Sequence, residues 1–111
     1  MKIKSTIRFI DLKVKDDFYK LEKGDKSERE LFKIISNCLD YLEENAFCGI
    51  QLSKKLIHVE FVKTYGIKNL WKYDLPRGWR LLYSVINEEA KIVSLVLEWS
   101  DHKNYERRFK Y

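Results

Sequence analysis

From Leu70 to Tyr83 apolar and polar side chains alternate on either side of Pro76-Arg77-Gly78. A period of two marks a strand with one buried face. Pro76 suits the second position of a type I turn and Gly78 the left-handed position that closes a three-residue loop, so the stretch is expected to form a β-hairpin. The loop fixes the register: Leu75 faces Trp79, Tyr73 faces Leu81 and Trp71 faces Tyr83, all on the core side. The other side carries Leu70, Lys72 and Asp74 from one strand and Arg80, Leu82 and Ser84 from the next. Asp74 then lies across from Arg80, with Lys72 diagonal to it, and a charged cluster on a sheet face calls for an explanation.

A second hairpin is expected from the polar turn Asn87-Glu88-Glu89 and the strand run Ile92–Trp99. Upstream, Ile3, Ser5, Ile7 and Phe9 alternate with Lys4, Thr6, Arg8 and Ile10 as an edge-type strand. Asp11 reads as the N-cap of a short helix that runs through Phe18 and Leu21 and stops near Lys23-Gly24. Ser27-Glu28-Arg29-Glu30 reads as a capping box. Behind it Leu31, Ile34, Ile35, Cys38, Leu39 and Leu42 form one apolar helical stripe. Between Asn45 and Lys68 the pattern is irregular, with one short helix expected over His58–Tyr65 and ending at Gly66. No repeat or Pro/Gly/Ser linker divides residues 1–111, so they are expected to form one domain. The order of elements predicts an α+β fold: a small antiparallel sheet of about four strands packed against two N-terminal helices, with a short C-terminal helix or tail.

Composition narrows the function classes only a little. The chain has 22 Lys and Arg against 17 Asp and Glu, a net charge of +5 that favours a polyanionic or acidic partner without proving one. The start of the chain alternates charged and apolar residues rather than forming a signal peptide, and no run is long enough to span a bilayer, so a cytoplasmic protein is expected. Cys38 and Cys48 form no CxxC motif and stand in no His-rich setting, so neither zinc nor any other metal or cofactor is expected. The segment after the last strand, Ser100 to Arg108, gathers groups that carry protons or bind phosphate, His102, Lys103, Tyr105, Arg107 and Arg108 among them.

Trp71-Lys72, the run Gly78-Trp79-Arg80-Leu81-Leu82-Tyr83-Ser84-Val85, the strand after it and the segment holding His102 and Tyr105 together resemble the RelE/ParE superfamily of toxins from toxin–antitoxin pairs. The resemblance is specific over the second half of the chain and extends to the first half only in element order and size. It implies a toxin that cleaves messenger RNA on the ribosome without a metal, by attack of a 2′-hydroxyl on the adjacent phosphate. That chemistry needs a base, an acid for the leaving 5′-oxygen, and cations for the charge that builds on phosphate. Carried over by position, Lys72 resembles the family's strand lysine and Arg80 its phosphate-binding arginine. His102 and Tyr105 fall at its C-terminal catalytic positions, and His102 has an ordinary pKa near 6.5 that suits proton transfer. Arg77, Lys103, Arg107 and Arg108 would add attraction to RNA that is independent of sequence. The implied partners are a cognate antitoxin, the ribosome and messenger RNA.

Two departures keep other readings open. Some ribonuclease members have a second lysine where this chain has Asp74, and a basic run where it has Ser100-Asp101-His102-Lys103. A ParE-like toxin that inhibits DNA gyrase without catalysis remains an alternative, as does a catalytically degenerate interaction protein of the same fold. Each candidate also has an ordinary structural role: Arg80 as cross-strand partner of Asp74, Lys72 as a solvated strand lysine, Tyr105 as cover for the core edge.

Overall fold

The computed structural model describes residues 2–101. Its elements run β1 (Thr6–Phe9), α1 (Leu12–Leu21), α2 (Lys26–Glu44), β2 (Ile50–Leu52), α3 (Val59–Tyr65), β3 (Leu70–Asp74), β4 (Trp79–Glu88) and β5 (Lys91–Asp101). The strands make one sheet in the order β1-β5-β4-β3-β2.

The fold is α+β, but the sheet has five strands and is mixed. β3, β4 and β5 form the expected antiparallel meander, whereas β1 pairs in parallel with β5. The fifth strand, β2, falls in the segment that looked irregular. It is three residues long and pairs Ile50 with Lys72, and Ile50 remains more than half exposed, which left no apolar alternation to read.

The first hairpin has the predicted register, with Trp71 opposite Tyr83, Tyr73 opposite Leu81 and Asp74 opposite Arg80. The Leu75 amide donates to the Trp79 carbonyl at 2.9 Å and closes the loop. The turn itself differs from a type I turn with a single left-handed glycine, because Arg77 (φ 62°) and Gly78 (φ 78°) are both left-handed. Positive φ matches the right-handed twist of the flanking strands, at a cost of about 1 kcal/mol for the Arg. The second turn lies further on than its polar residues suggested. Glu88 pairs with Lys91, and Glu89 (φ 49°) and Ala90 (φ 64°) form a two-residue turn of the I′ kind. Asn87, the residue that pointed to a turn, is paired with Ile92 inside the ladder.

Helix α1 starts where expected: the Asp11 carboxylate accepts from the Val14 amide at 2.8 Å. Helix α2 begins earlier than Ser27, with Asp25 and Glu28 as its capping box. Its stripe is buried as read, with Ile35 and Leu42 fully enclosed and Cys38 in the core. It packs with α1 on the sheet face that carries Leu75, Leu81, Tyr83 and Val96, flanked by Trp71, Tyr73, Trp79 and Trp99. The short helix α3 ends at Gly66 in the left-handed conformation, and the His58 Nδ1 caps its start by accepting from the Glu60 amide at 3.2 Å. This third helix lies against the other face. There Leu56, Ile57, Phe61 and Ile67 cover Leu70, Leu82 and Leu97, so the apolar half of that face is a second, smaller core.

Asn69 ties this region to β4. Its Oδ1 accepts from the Val85 amide (2.8 Å) and the buried Ser84 hydroxyl (3.0 Å), and its Nδ2 donates to the Val85 carbonyl (2.8 Å). Truncation strands these groups in a dry setting, so Asn69→Ala is expected to lower stability by about 2 kcal/mol. Urea denaturation, reading a lower midpoint at unchanged slope, checks this.

Candidate nucleic-acid interface

The period of two that buries Trp71 and Tyr73 sends Lys72 and Asp74 to the opposite face, and β4 does the same with Arg80. Because α3 and its flanks cover only the apolar half of that face, the polar half stands beside them. Asp74 Oδ1 lies 2.8 Å from Arg80 Nε and 3.3 Å from Lys72 Nζ. Arg80 also donates from Nη1 to the Trp79 carbonyl at 3.1 Å, which fixes the plane of its guanidinium. The Lys72 and Arg80 side chains are only 20% and 19% exposed, against 47% for Asp74. Two cations held in a partly dry setting thus share one carboxylate oxygen that solvent can reach. Such an oxygen sits where a phosphate oxygen would sit, and a phosphate arriving there displaces or competes with Asp74.

A bulge brings in a residue that sequence reasoning missed. Leu82 pairs with Glu98 but Tyr83 with Val96, so Leu97 is the extra residue and the strand's alternation slips. Arg80 pairs with Ser100, which sets Glu98 at the diagonal position to Arg80. The register thus places a second carboxylate, Glu98, on the face of the sheet that carries Arg80. No period reports a bulge in advance; the run Leu95-Val96-Leu97, apolar without alternation, was the only trace.

The other candidates separate from this pair. Arg77 forms an ion pair with Glu30 of α2, on the helical side of the sheet, and is not brought to Lys72 and Arg80. His102, Lys103, Tyr105, Arg107 and Arg108 lie outside the described residues. A cleft of about 570 Å³ between α1, α3 and the end of β5 includes neither Lys72 nor Arg80 in its lining. Asp11, Asp17, Glu28, Glu60 and Glu98 outnumber Lys13 and Lys20 there, which disfavours a phosphate backbone.

Behind the cations, β3 is positioned by Tyr83. Its hydroxyl donates to the Ala46 carbonyl (2.8 Å) and accepts from the Gly49 amide (3.1 Å), pinning the strand that pairs with Lys72. Burial pushes the Tyr83 phenol and the Cys38 thiol well above their ordinary ranges, so both stay protonated and serve packing rather than acid–base work. Among the described residues no group of His, Cys, Asp and Glu is arranged to hold a metal ion, and no helix is long and apolar enough to cross a membrane. No protein-family model matches the chain, and neither a curated protein nor a solved structure does.

Proposed function

We propose that the chain is a toxin of the RelE kind, a ribosome-dependent endonuclease of messenger RNA held in check by a cognate antitoxin. The observation that carries the proposal is the convergence of Lys72 and Arg80 on Asp74 Oδ1, at 3.3 and 2.8 Å, in the strand positions on which the resemblance rests. In this reading Arg80 holds the scissile phosphate and Lys72 offsets the charge that grows on its non-bridging oxygens. The 2′-oxygen bonds to phosphorus as its proton passes to a base, and the bond to the 5′-oxygen breaks as that oxygen takes a proton from an acid. His102 and Tyr105 supply the proton transfers by analogy with the family. Asp74 guards the site until RNA, aligned by the ribosome, displaces it.

The same contact favours a second reading. If Asp74 never yields Arg80, the protein binds its partners through this fold and cleaves nothing.

Induced expression in a host lacking the partner separates the two. Wild type is expected to arrest growth, while Arg80→Ala and His102→Ala at equal soluble protein levels are expected to relieve the arrest. Arrest that persists in both variants points to a target such as gyrase, and no arrest with wild type supports the non-cleaving reading.

A further inference from the structure

We infer that the outer edge of β2 pairs with the same edge of a second copy of this chain, joining two sheets across a twofold axis. β2 is a margin of the sheet, and among the described residues no strand lies beyond it. The other margin, β1, is blunted: Arg8 stands on it in an ion pair with Glu88, and backbone bonds from Ser5 to Glu43 and from Ala46 to Ile3 close its start. The β2 margin has no such guard. It lies within residues 45–53, nine in a row without a charge in a chain that is 35% charged, and the sequence holds no longer uncharged run. The next longest, residues 81–87, belongs to the central strand β4, where both neighbours are supplied by the same chain. An uncharged run at a margin leaves an edge open to pairing.

Backbone direction shows which groups are free to pair. The Leu75 amide donates to the Trp79 carbonyl of β4 at 2.9 Å, so by alternation Tyr73 and Trp71 turn their backbone groups to β4, and Lys72 and Leu70 turn theirs to β2. The Lys72 carbonyl does abut Gly49. Ile50 and Leu52, opposite Lys72 and Leu70, close those bonds, and the Gln51 N–H and C=O point outward. Gln51 is exposed, and Ile50 is 54% exposed.

Antiparallel pairing of Gln51 with its own image uses these groups. It sets Ile50 against Leu52 of the second copy on one face, an aliphatic cross-strand pair that covers the exposed Ile50. On the other face the two Gln51 amides meet beside Trp71, against which Phe47 packs at 5.2 Å while still 43% exposed. Like charges stay apart. Lys54 falls opposite Cys48 of the second copy, six residues along the strand from its own image, or about 20 Å, well beyond the Debye length. The patch is smaller than the about 1,200 Å² of standard interfaces, so the dimer is expected to be weak and concentration-dependent. The pairing is independent of the RNA chemistry proposed for Lys72 and Arg80. It nevertheless places Lys72 and its image on one continuous face, about 15 Å apart, because the twofold axis is normal to the sheet.

The test is sedimentation equilibrium of the purified full-length chain up to about 1 mM, with reductant present so that the exposed Cys48 forms no covalent link between copies. Wild type is expected to pass from monomer to dimer over this range. Gln51→Lys and Gln51→Glu each set like charges opposite one another and are expected to weaken self-association about tenfold or more, at an unchanged circular dichroism spectrum and melting temperature. An equal mixture of the two variants is expected to recover the dimer, since Lys then faces Glu. Hydrogen exchange at the Gln51 amide of wild type should slow as concentration rises. A monomer over the whole range, self-association unchanged in both variants, a mixture no tighter than either variant alone, or slowed exchange centred on another strand would each overturn the inference. The assay contains no ribosome and no RNA, so its failure and the failure of the nuclease reading are distinguishable.

Discussion

Asp74→Ala is expected to tighten binding of single-stranded RNA and to steepen its dependence on salt. Asp74 holds Arg80 at 2.8 Å and Lys72 at 3.3 Å, so its carboxylate cancels charge that phosphate would otherwise meet. Each phosphate neutralised on a single strand adds about 0.7 to the slope of log affinity against log salt, which near physiological salt corresponds to about fourfold per contact. Freeing one to two cations predicts a gain of roughly four- to fifteenfold. Stability should fall by only about 1 kcal/mol, because Asp74 is half exposed and water screens its ion pairs. Fluorescence anisotropy with a labelled oligonucleotide across a salt series measures both quantities. An unchanged affinity and slope would mean that RNA does not contact this pair.

The largest stability effect is expected at Gly49. A Cβ built there would meet the Lys72 carbonyl oxygen at 2.4 Å and the Tyr83 hydroxyl at 2.7 Å. Neither is the far end of a flexible side chain: one is backbone inside the sheet, and the other is a buried phenol held by two hydrogen bonds. Gly49→Ala must therefore push β2 away from β3 or break the Tyr83 contacts, at an expected cost of about 3 kcal/mol. That is a large share of the roughly 5–15 kcal/mol that holds a domain of this size together, and calorimetry should read a melting temperature lower by about 10–15 °C. Gly66→Ala is the control. Nothing lies within 4 Å of the added methyl and only its φ of 64° resists, so about 1 kcal/mol is expected. Because Gly49 abuts the Lys72 carbonyl, its substitution should also disturb the cation site, whereas Gly66→Ala should not.

The contrast between these two glycines reflects what was legible in the chain. Periods and caps are local, so the Trp71 to Tyr83 register, the Asp74–Arg80 opposition, the α2 stripe and the Gly66 stop could all be read from spacing. Features that depend on distant backbone could not. β2 exists because its backbone finds β3, with Gly49 as the one residue small enough to let the chain approach Lys72. The parallel pairing of β1 with β5 joins segments nearly the whole chain apart, and the β5 bulge that puts Glu98 on the face of the sheet that carries Arg80 leaves no periodic trace. The cation pair of the site was thus foreseeable, and the second carboxylate on that face was not. The Arg77–Glu30 ion pair was out of reach for a similar reason: its partner stands on α2, 47 residues earlier in the chain.

The most direct test of the nuclease proposal is primer-extension mapping of ribosome-bound messenger RNA after induction of the chain in a host without its partner. New 5′ ends inside codons with wild type, absent with Arg80→Ala at equal soluble protein, are the predicted result. Growth arrest with an uncut messenger RNA pool, or identical cuts with wild type and Arg80→Ala, would contradict it.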